Sequence, residues 1–196
     1  MLFDGYGRRK YLTISEWRAF LLAADSRDPL TRTFCYVLAH TGARISEVRA
    51  LTAASIDLAG DFITFECLKR RQRGVFRPVP VPHSLILLLE DTHGLSAIQA
   101  DRLLRQCRLW PWCRTTAWSR VKAVCKAAGV PENVGTARAF RHTYGVEGVA
   151  MKGVPLGTMK RWLGHVRLES TTIYTEVVGA EERALSGRMW RDSDLR

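Results

Sequence analysis

Apolar positions along most of this chain recur at steps of three and four, the period of a helix that buries one face. The first run opens with Thr13-Ile14-Ser15-Glu16, a capping box in which threonine and glutamate satisfy free N–H groups of the first turn, and Trp17, Phe20, Leu21 and Ala24 follow as its stripe. Asp28-Pro29 starts a second helix with Phe34, Val37 and Leu38 on its apolar face, and Thr41-Gly42 stops it. A helix bearing Arg44 begins at once, with Ile45 and Val48 toward the core. From Ser55 to Val81 the period changes to two, with Phe62-Ile63-Thr64-Phe65 as one strand and Val75, Val79 and Val81 carrying the return strand past Gly74. Pro78 and Pro80 cannot donate ladder hydrogen bonds, which assigns the return strand to a sheet edge.

Helical spacing resumes from His83 to Glu90 with Leu85, Ile86, Leu88 and Leu89, and again from Ser96 through Ile98, Leu103 and Leu104. Trp110-Pro111-Trp112 breaks the pattern, after which Trp118, Val121, Cys125 and Ala128 step along one face to Gly129. A helix is expected from Ala137 to Lys152, punctuated by Gly153 and Pro155, then short helices to Leu163 and to Tyr174, and a last one from Ala180 through Trp190. The predicted class is mainly α with a small antiparallel β-sheet, an α+β chain.

A length of 196 residues with 46% hydrophobic content suits one large domain or two small ones with a real core. Lys+Arg 30 against Asp+Glu 19 leaves a formal net charge of +11, which points to a polyanionic partner, either nucleic acid or an acidic membrane surface. No apolar run approaches the roughly 20 residues that span a bilayer, and the first ten residues lack a signal-peptide core, so a cytoplasmic location is expected. Cys35, Cys67, Cys107, Cys113 and Cys125 are odd in number and form no C-x-x-C pair; they are expected to be small buried residues. There is no Walker loop and no carboxylate cluster for a metal pair, so neither cofactor nor metal is expected.

The chemistry concentrates between Thr136 and Val178. Arg138 and Arg141 are one helical step apart, so both guanidinium groups can lean over one face and grip phosphate oxygens. His165 follows Gly164, which presents the imidazole at a turn. Tyr174 is a nucleophile only if the loss of its proton is made easier, and clustered cations do that. Upstream, Arg44 and Glu47 stand at i and i+3 and can pair. Two basic surfaces complete the inventory: Lys69-Arg70-Arg71-Gln72-Arg73 at the hairpin tip, and Arg114, Arg120, Lys122 and Lys126 opposite the apolar stripe of their helix. Each is either a solvated face or a track for phosphates.

The words Ala-Phe-Arg-His-Thr-Tyr-Gly, Trp-Leu-Gly-His and Thr-Thr-Ile-Tyr-Thr-Glu-Val, with His-Thr-Gly-Ala-Arg-Ile-Ser-Glu at residues 40–47, resemble the boxes of the tyrosine recombinase, or phage integrase, family. The resemblance runs from about Leu12 to the tail and implies that family's catalytic-domain fold. It implies catalytic roles for Arg44, Lys69, Arg138, Arg141, His165 and Tyr174, with Glu47 in support. It departs from the family where Arg138 stands in place of the usual histidine, and an arginine cannot switch protonation near neutral pH. His142 and Tyr144 are expected to be structural.

The implied partner is double-stranded DNA in a bacterial cytoplasm, on nucleoid or plasmid, with inversion, excision, resolution or integration as the outcome. A tetramer on two sites and accessory DNA-bending proteins are further implied. Residues 1–12 are expected to form an N-terminal extension, 13–178 the catalytic domain and 179–196 a tail that docks in a neighbouring subunit. Most relatives carry a separate DNA-clamping domain ahead of this one, which the first dozen residues cannot form, so the expectation is a small recombinase or a fragment. Two competing readings are a helix-turn-helix regulator built on residues 156–174 and a type IB topoisomerase.

Overall fold

A computed structural model describes residues 2–67, 74–175, 182–183 and 186–187. α1 (Ile14–Asp25) carries the expected capping box between Thr13 and Glu16. α2 (Pro29–Thr41) is capped by the Asp28 side chain and ends at Gly42, whose φ of 57° is a left-handed stop. α3 (Ile45–Arg49) follows, and Arg44 is its N-cap in extended conformation rather than a residue of the helix. The sheet is antiparallel in the order β1 (Ile56–Asp57), β2 (Phe62–Glu66), β3 (Phe76–Pro80), so the proline-bearing strand does lie at an edge. Ile63 pairs with Val79 and Phe65 with Arg77; these four side chains are buried, while Phe62, Phe76 and Pro78 point outward.

α4 (His83–His93) and α6 (Arg114–Ala127) pack on α2, and α5 (Leu95–Ala100) packs on α4. α7 (Ala137–Val146) runs into a wider π turn over Glu147–Met151, where a regular helix to Lys152 was expected. α8 (Leu156–Leu163), the four-residue α9 (Glu169–Thr172) and a 3-10 turn at Ile173–Thr175 end the described core.

Two expectations fail for local reasons. The helical pattern through Leu103 and Leu104 does not hold, because the Asp101 carboxylate accepts from both their N–H groups and turns the chain, leaving Leu103 81% exposed. Cys107 and Cys113 are exposed rather than buried; Cys113 accepts from the Thr116 N–H as the N-cap of α6. Residues 2–12, the expected N-terminal extension, pack on the rest of the chain: Phe3 and Arg9 form a bridge, Leu2 and Tyr11 are buried, and the Leu12 N–H donates to the Thr143 hydroxyl at 2.8 Å.

The apolar interior falls into two clusters. The larger joins α1, α2, the sheet, α4, α6 and the start of α7, with Phe20, Phe34, Phe65, Trp110 and Phe140 among its fully buried rings. The smaller gathers Leu2, Tyr11, Val146, Ala150, Met159, Leu163 and Tyr174. No helix among the described residues is long and apolar enough to cross a membrane. The hairpin tip at 68–73 and residues 176–181, 184–185 and 188–196 lie outside the described residues, and with them the expected helix from Ala180 and the docking tail.

Candidate active site

Glu47 is the hub of the cationic half of the site. At the third position of α3, its Oε2 accepts the Arg44 backbone N–H at 2.8 Å and its Oε1 accepts Arg44 Nη1 at 2.7 Å, so the predicted i, i+3 pair forms. Oε2 also accepts Nη2 of Arg77 at 2.8 Å. The Glu47 side chain is fully buried, which alone would raise its pKa, but Arg77 and Arg44 hold the carboxyl below its ordinary value. Arg44 keeps 26% of its side chain exposed and can therefore reach a ligand.

Arg77 was absent from the sequence reading, although a signal existed. It shares strand parity with Val75, Val79 and Val81, and an arginine on the core face of a strand demands a buried carboxylate. Its guanidinium donates through Nε to the Trp162 carbonyl at 2.7 Å and lies over the Phe65 ring, 5.0 Å from its centroid.

Thr136 caps α7 by accepting from the Ala139 N–H, and this helix separates its two arginines. Arg141 is buried and donates to the carbonyls of Gly42 and Leu163, tying the end of α2 to the end of α8. Burial, reinforced by the Arg44 charge, lowers its pKa to about 10, which leaves it charged at neutral pH. Arg138 is exposed and pairs with no described residue. The expected convergence of the two on one face is thus replaced by one buried and one free cation, and the charge of Arg138 acts on His142.

Gly164 ends α8 at φ 65°, and a side chain there would meet Arg77 at 3.0 Å. The turn presents half-buried His165, as expected, with Nδ1 2.8 Å from the Thr171 hydroxyl. Burial and the charges of Arg141 and Arg44 push its pKa down to about 3, so the imidazole is neutral under ordinary conditions. Its ring is stacked with that of Tyr174 at 6.3 Å and 18°.

Tyr174 is 1% exposed. Its ring packs edgewise on His142 at 5.9 Å and against Gly145, where an added Cβ would fall 2.5 Å from ring atoms. Burial raises the phenol's pKa above its ordinary value, and the opposing pull of Arg141 and Arg44 does not reverse it, contrary to the expectation from clustered cations. His142, pushed down to about 4 chiefly by burial, has a buried Nδ1 without a hydrogen-bond partner among the described residues.

An open cleft runs past Arg44, Cys67, Gly164, His165, Val166, Arg167 and Ser170. Lys160 and Arg161 line the adjoining space beside Arg77, adding basic groups just before Leu-Gly-His that sequence reading passed over. Cys67, the last described residue before the hairpin tip, lies in both, so the hairpin departs from this cleft. Lys69, Arg70, Arg71 and Arg73 lie outside the described residues. On α6, Arg114, Lys122 and Lys126 are exposed, whereas Arg120 is engaged by Asp28 at 2.8 Å, the Thr31 hydroxyl at 2.7 Å and the Trp112 ring. Among the described residues no three His, Cys, Asp or Glu side chains gather as a metal site. Fixed cations, a neutral imidazole and a phenol suit phosphoryl transfer to tyrosine, with preorganised positive charge stabilising the transition state.

The phage integrase family pattern matches residues 10–181. A resolvase of Escherichia coli K12 is 29% identical over 201 residues, covering 89% of this chain and 74% of the relative. The crystal structure of XerA recombinase superposes with a TM-score of 0.74 at 23% identity, over 93% of this chain and 66% of that one. The XerH site-specific recombinase bound to its difH substrate gives 0.70 at 17% identity, over 96% of this chain and 60% of that one. The chain therefore spans less than two thirds of the length of either solved relative.

Proposed function

Because the chain belongs to the phage integrase family, the tyrosine-type recombinases, we propose that it cleaves and rejoins duplex DNA through a covalent bond to Tyr174. The observation that carries the reading is that Arg44 and His165 line one cleft, the His165 ring stacks on that of Tyr174, and Arg141 ties the ends of α2 and α8 beside them. The phenolic oxygen attacks a DNA phosphodiester and loses its proton to solvent water as the oxygen–phosphorus bond forms and the bond from phosphorus to the 5′ oxygen breaks. A 3′-phosphotyrosyl link results, and the 5′ oxygen leaves with a proton supplied by Lys69. Attack by the 5′-hydroxyl of a partner strand reverses these steps and restores the phenol, so no external energy source is consumed.

Arg44, Arg141 and the free guanidinium of Arg138 stabilise the non-bridging oxygens. In the tautomer whose Nδ1 accepts from the Thr171 hydroxyl 2.8 Å away, His165 carries its proton on Nε2 and donates a hydrogen bond to the same oxygens. A raised phenol pKa keeps Tyr174 protonated at rest, so deprotonation accompanies attack.

Arg114, Lys122 and Lys126 along α6 and Arg70, Arg71 and Arg73 at the hairpin tip track the DNA backbone, in keeping with the bound substrate of XerH. The tail beyond residue 179 docks in a neighbouring copy and assembles a tetramer on two sites, with DNA-bending proteins assisting. A helix-turn-helix regulator fits poorly, because α9 is four residues long and cannot fill a major groove.

The deciding experiment compares the chain with Tyr174→Phe on a nicked suicide duplex. The parent chain accumulates a covalent adduct; the variant binds the duplex and accumulates none. Equal adduct from both removes Tyr174 as nucleophile, and no adduct from either rejects strand transfer.

A further inference from the structure

We propose that Arg77 is a positioning residue that locks Arg44, the turn carrying His165 and the root of the hairpin into one register. Its rate consequences rest on the strand-transfer reading; its structural consequences do not. The side chain is 3% exposed and so cannot itself touch a duplex. Each part of the fork has a different task. Nη2 fixes Oε2 of Glu47, the same oxygen that accepts the Arg44 N–H, so the backbone of Arg44 and, through Oε1, its guanidinium are both set against a carboxylate that Arg77 pins.

Nε takes the Trp162 carbonyl, one of the last in α8 and without an intrahelical partner, which fixes the helix end just before Gly164 and His165. A cation there also opposes the negative end of the helix dipole. Nη1 lies 3.8 Å from Cys67 Sγ at the base of the hairpin, and Arg77 is itself part of that hairpin through β3. Gly164 leaves room for the side chain to pass.

Stability does not explain this arrangement, since a buried ion pair is commonly no better than well-packed apolar groups of the same volume. Geometry does. A planar fork can hold three directions at once, whereas lysine brings a point charge on a flexible stem and can replace the contact to Glu47 alone.

The test uses the whole chain carrying Arg77→Met or Arg77→Lys. In the free protein, amide exchange by NMR should show the Arg44 and His165 N–H groups of Arg77→Met exchanging about 10-fold faster or more, as loss of a charge-assisted contact predicts, while core amides of α2 such as Leu38 stay as they were. Arg77→Lys should restore protection at Arg44 and leave His165 fast, and this variant decides the matter alone if Arg77→Met does not fold. A uniform acceleration of all amides, or no change at these two, overturns the proposal.

On a suicide duplex at saturation, Arg77→Met should cleave about 100-fold more slowly, the scale of a 1 Å misplacement. Its half-saturating DNA concentration should stay within about threefold of the parent, because Arg77 makes no contact with DNA. Weakened binding with an unchanged maximal rate also overturns it. Absence of adduct from the parent chain would reject strand transfer, and the exchange measurements would still decide the role of Arg77.

Discussion

Arg44 and Tyr174 belong to one site, yet different forces keep them there. Arg44 stands on the large core and is referenced by two short hydrogen bonds to a fully buried carboxylate, which Arg77 holds in turn. Tyr174 sits in a 3-10 turn after a four-residue helix, within a small cluster of seven buried residues, and shape decides its place: the bare Cα of Gly145 beneath the ring, His142 at its edge and His165 stacked alongside. The cations are thus anchored by directional, charge-assisted bonds and the proposed nucleophile by packing. Such a division suits the proposed reaction, in which the phosphate cradle stays constant while the tyrosine leaves a buried resting position to reach DNA.

The largest effect should come from breaking the anchored side. Glu47→Ala leaves the Arg77 guanidinium buried without its counter-charge and should cost about 3–5 kcal/mol of unfolding free energy, read from a urea midpoint. A loss below about 1 kcal/mol would mean that water or another group replaces the carboxylate and that Glu47 is no hub.

Breaking the packed side should spare more stability and act on rate. Gly145→Ala pushes the Tyr174 ring from its seat, and overpacking of this kind costs about 1–3 kcal/mol. Adduct formation should fall about 100-fold with DNA affinity nearly unchanged. An adduct rate close to that of the parent would show that the resting position of Tyr174 has no bearing on the attacking one.

The smallest effect sharpens the comparison through pH. His142 and His165 have folded pKa values of about 4 and about 3, against about 6.5 in an unfolded chain. Between those limits the unfolded state binds more protons, so stability should decline as pH falls from about 6.5 toward 4 and level off below about 3. His142→Gln should flatten part of that decline in urea titrations at pH 7 and pH 5. An identical pH dependence in the variant would place His142 in solvent-like surroundings and contradict its burial against Tyr174.

Most of the architecture was written locally. The Thr13 to Glu16 box, the Asp28-Pro29 start and the left-handed Gly42 and Gly164 each act within one turn of chain, so their outcome is readable from neighbouring residues. The Arg44–Glu47 pair is as local, because the glutamate at the third helical position reaches back to the N-cap residue. Misreadings arose where a short polar side chain outbid periodicity, as Asp101 did at Leu103, or where a thiol took the capping role usual for an oxygen, as Cys113 did on α6. Arg120 looked like one basic residue among four on a helix face, and contacts remote in sequence, such as that to Asp28 92 residues away, tell it from its neighbours.

By itself, then, the sequence determined the α+β class and the family, and it supplied the residues to which the proposed chemistry is assigned, because composition, period and short motifs are properties of contiguous chain. Tertiary structure alone decided the protonation states and the supporting cast. His165 is neutral and the Tyr174 phenol is raised because burial, a product of the whole fold, outweighs the charges that sequence placed nearby. Arg141 went inward while Arg138 remained outside because the carbonyls of Gly42 and Leu163, 99 and 22 residues distant, met only one of them. Arg77 became the tie between helix, turn and hairpin because its strand partner, its carboxylate and its carbonyl are brought together only when the chain closes on itself.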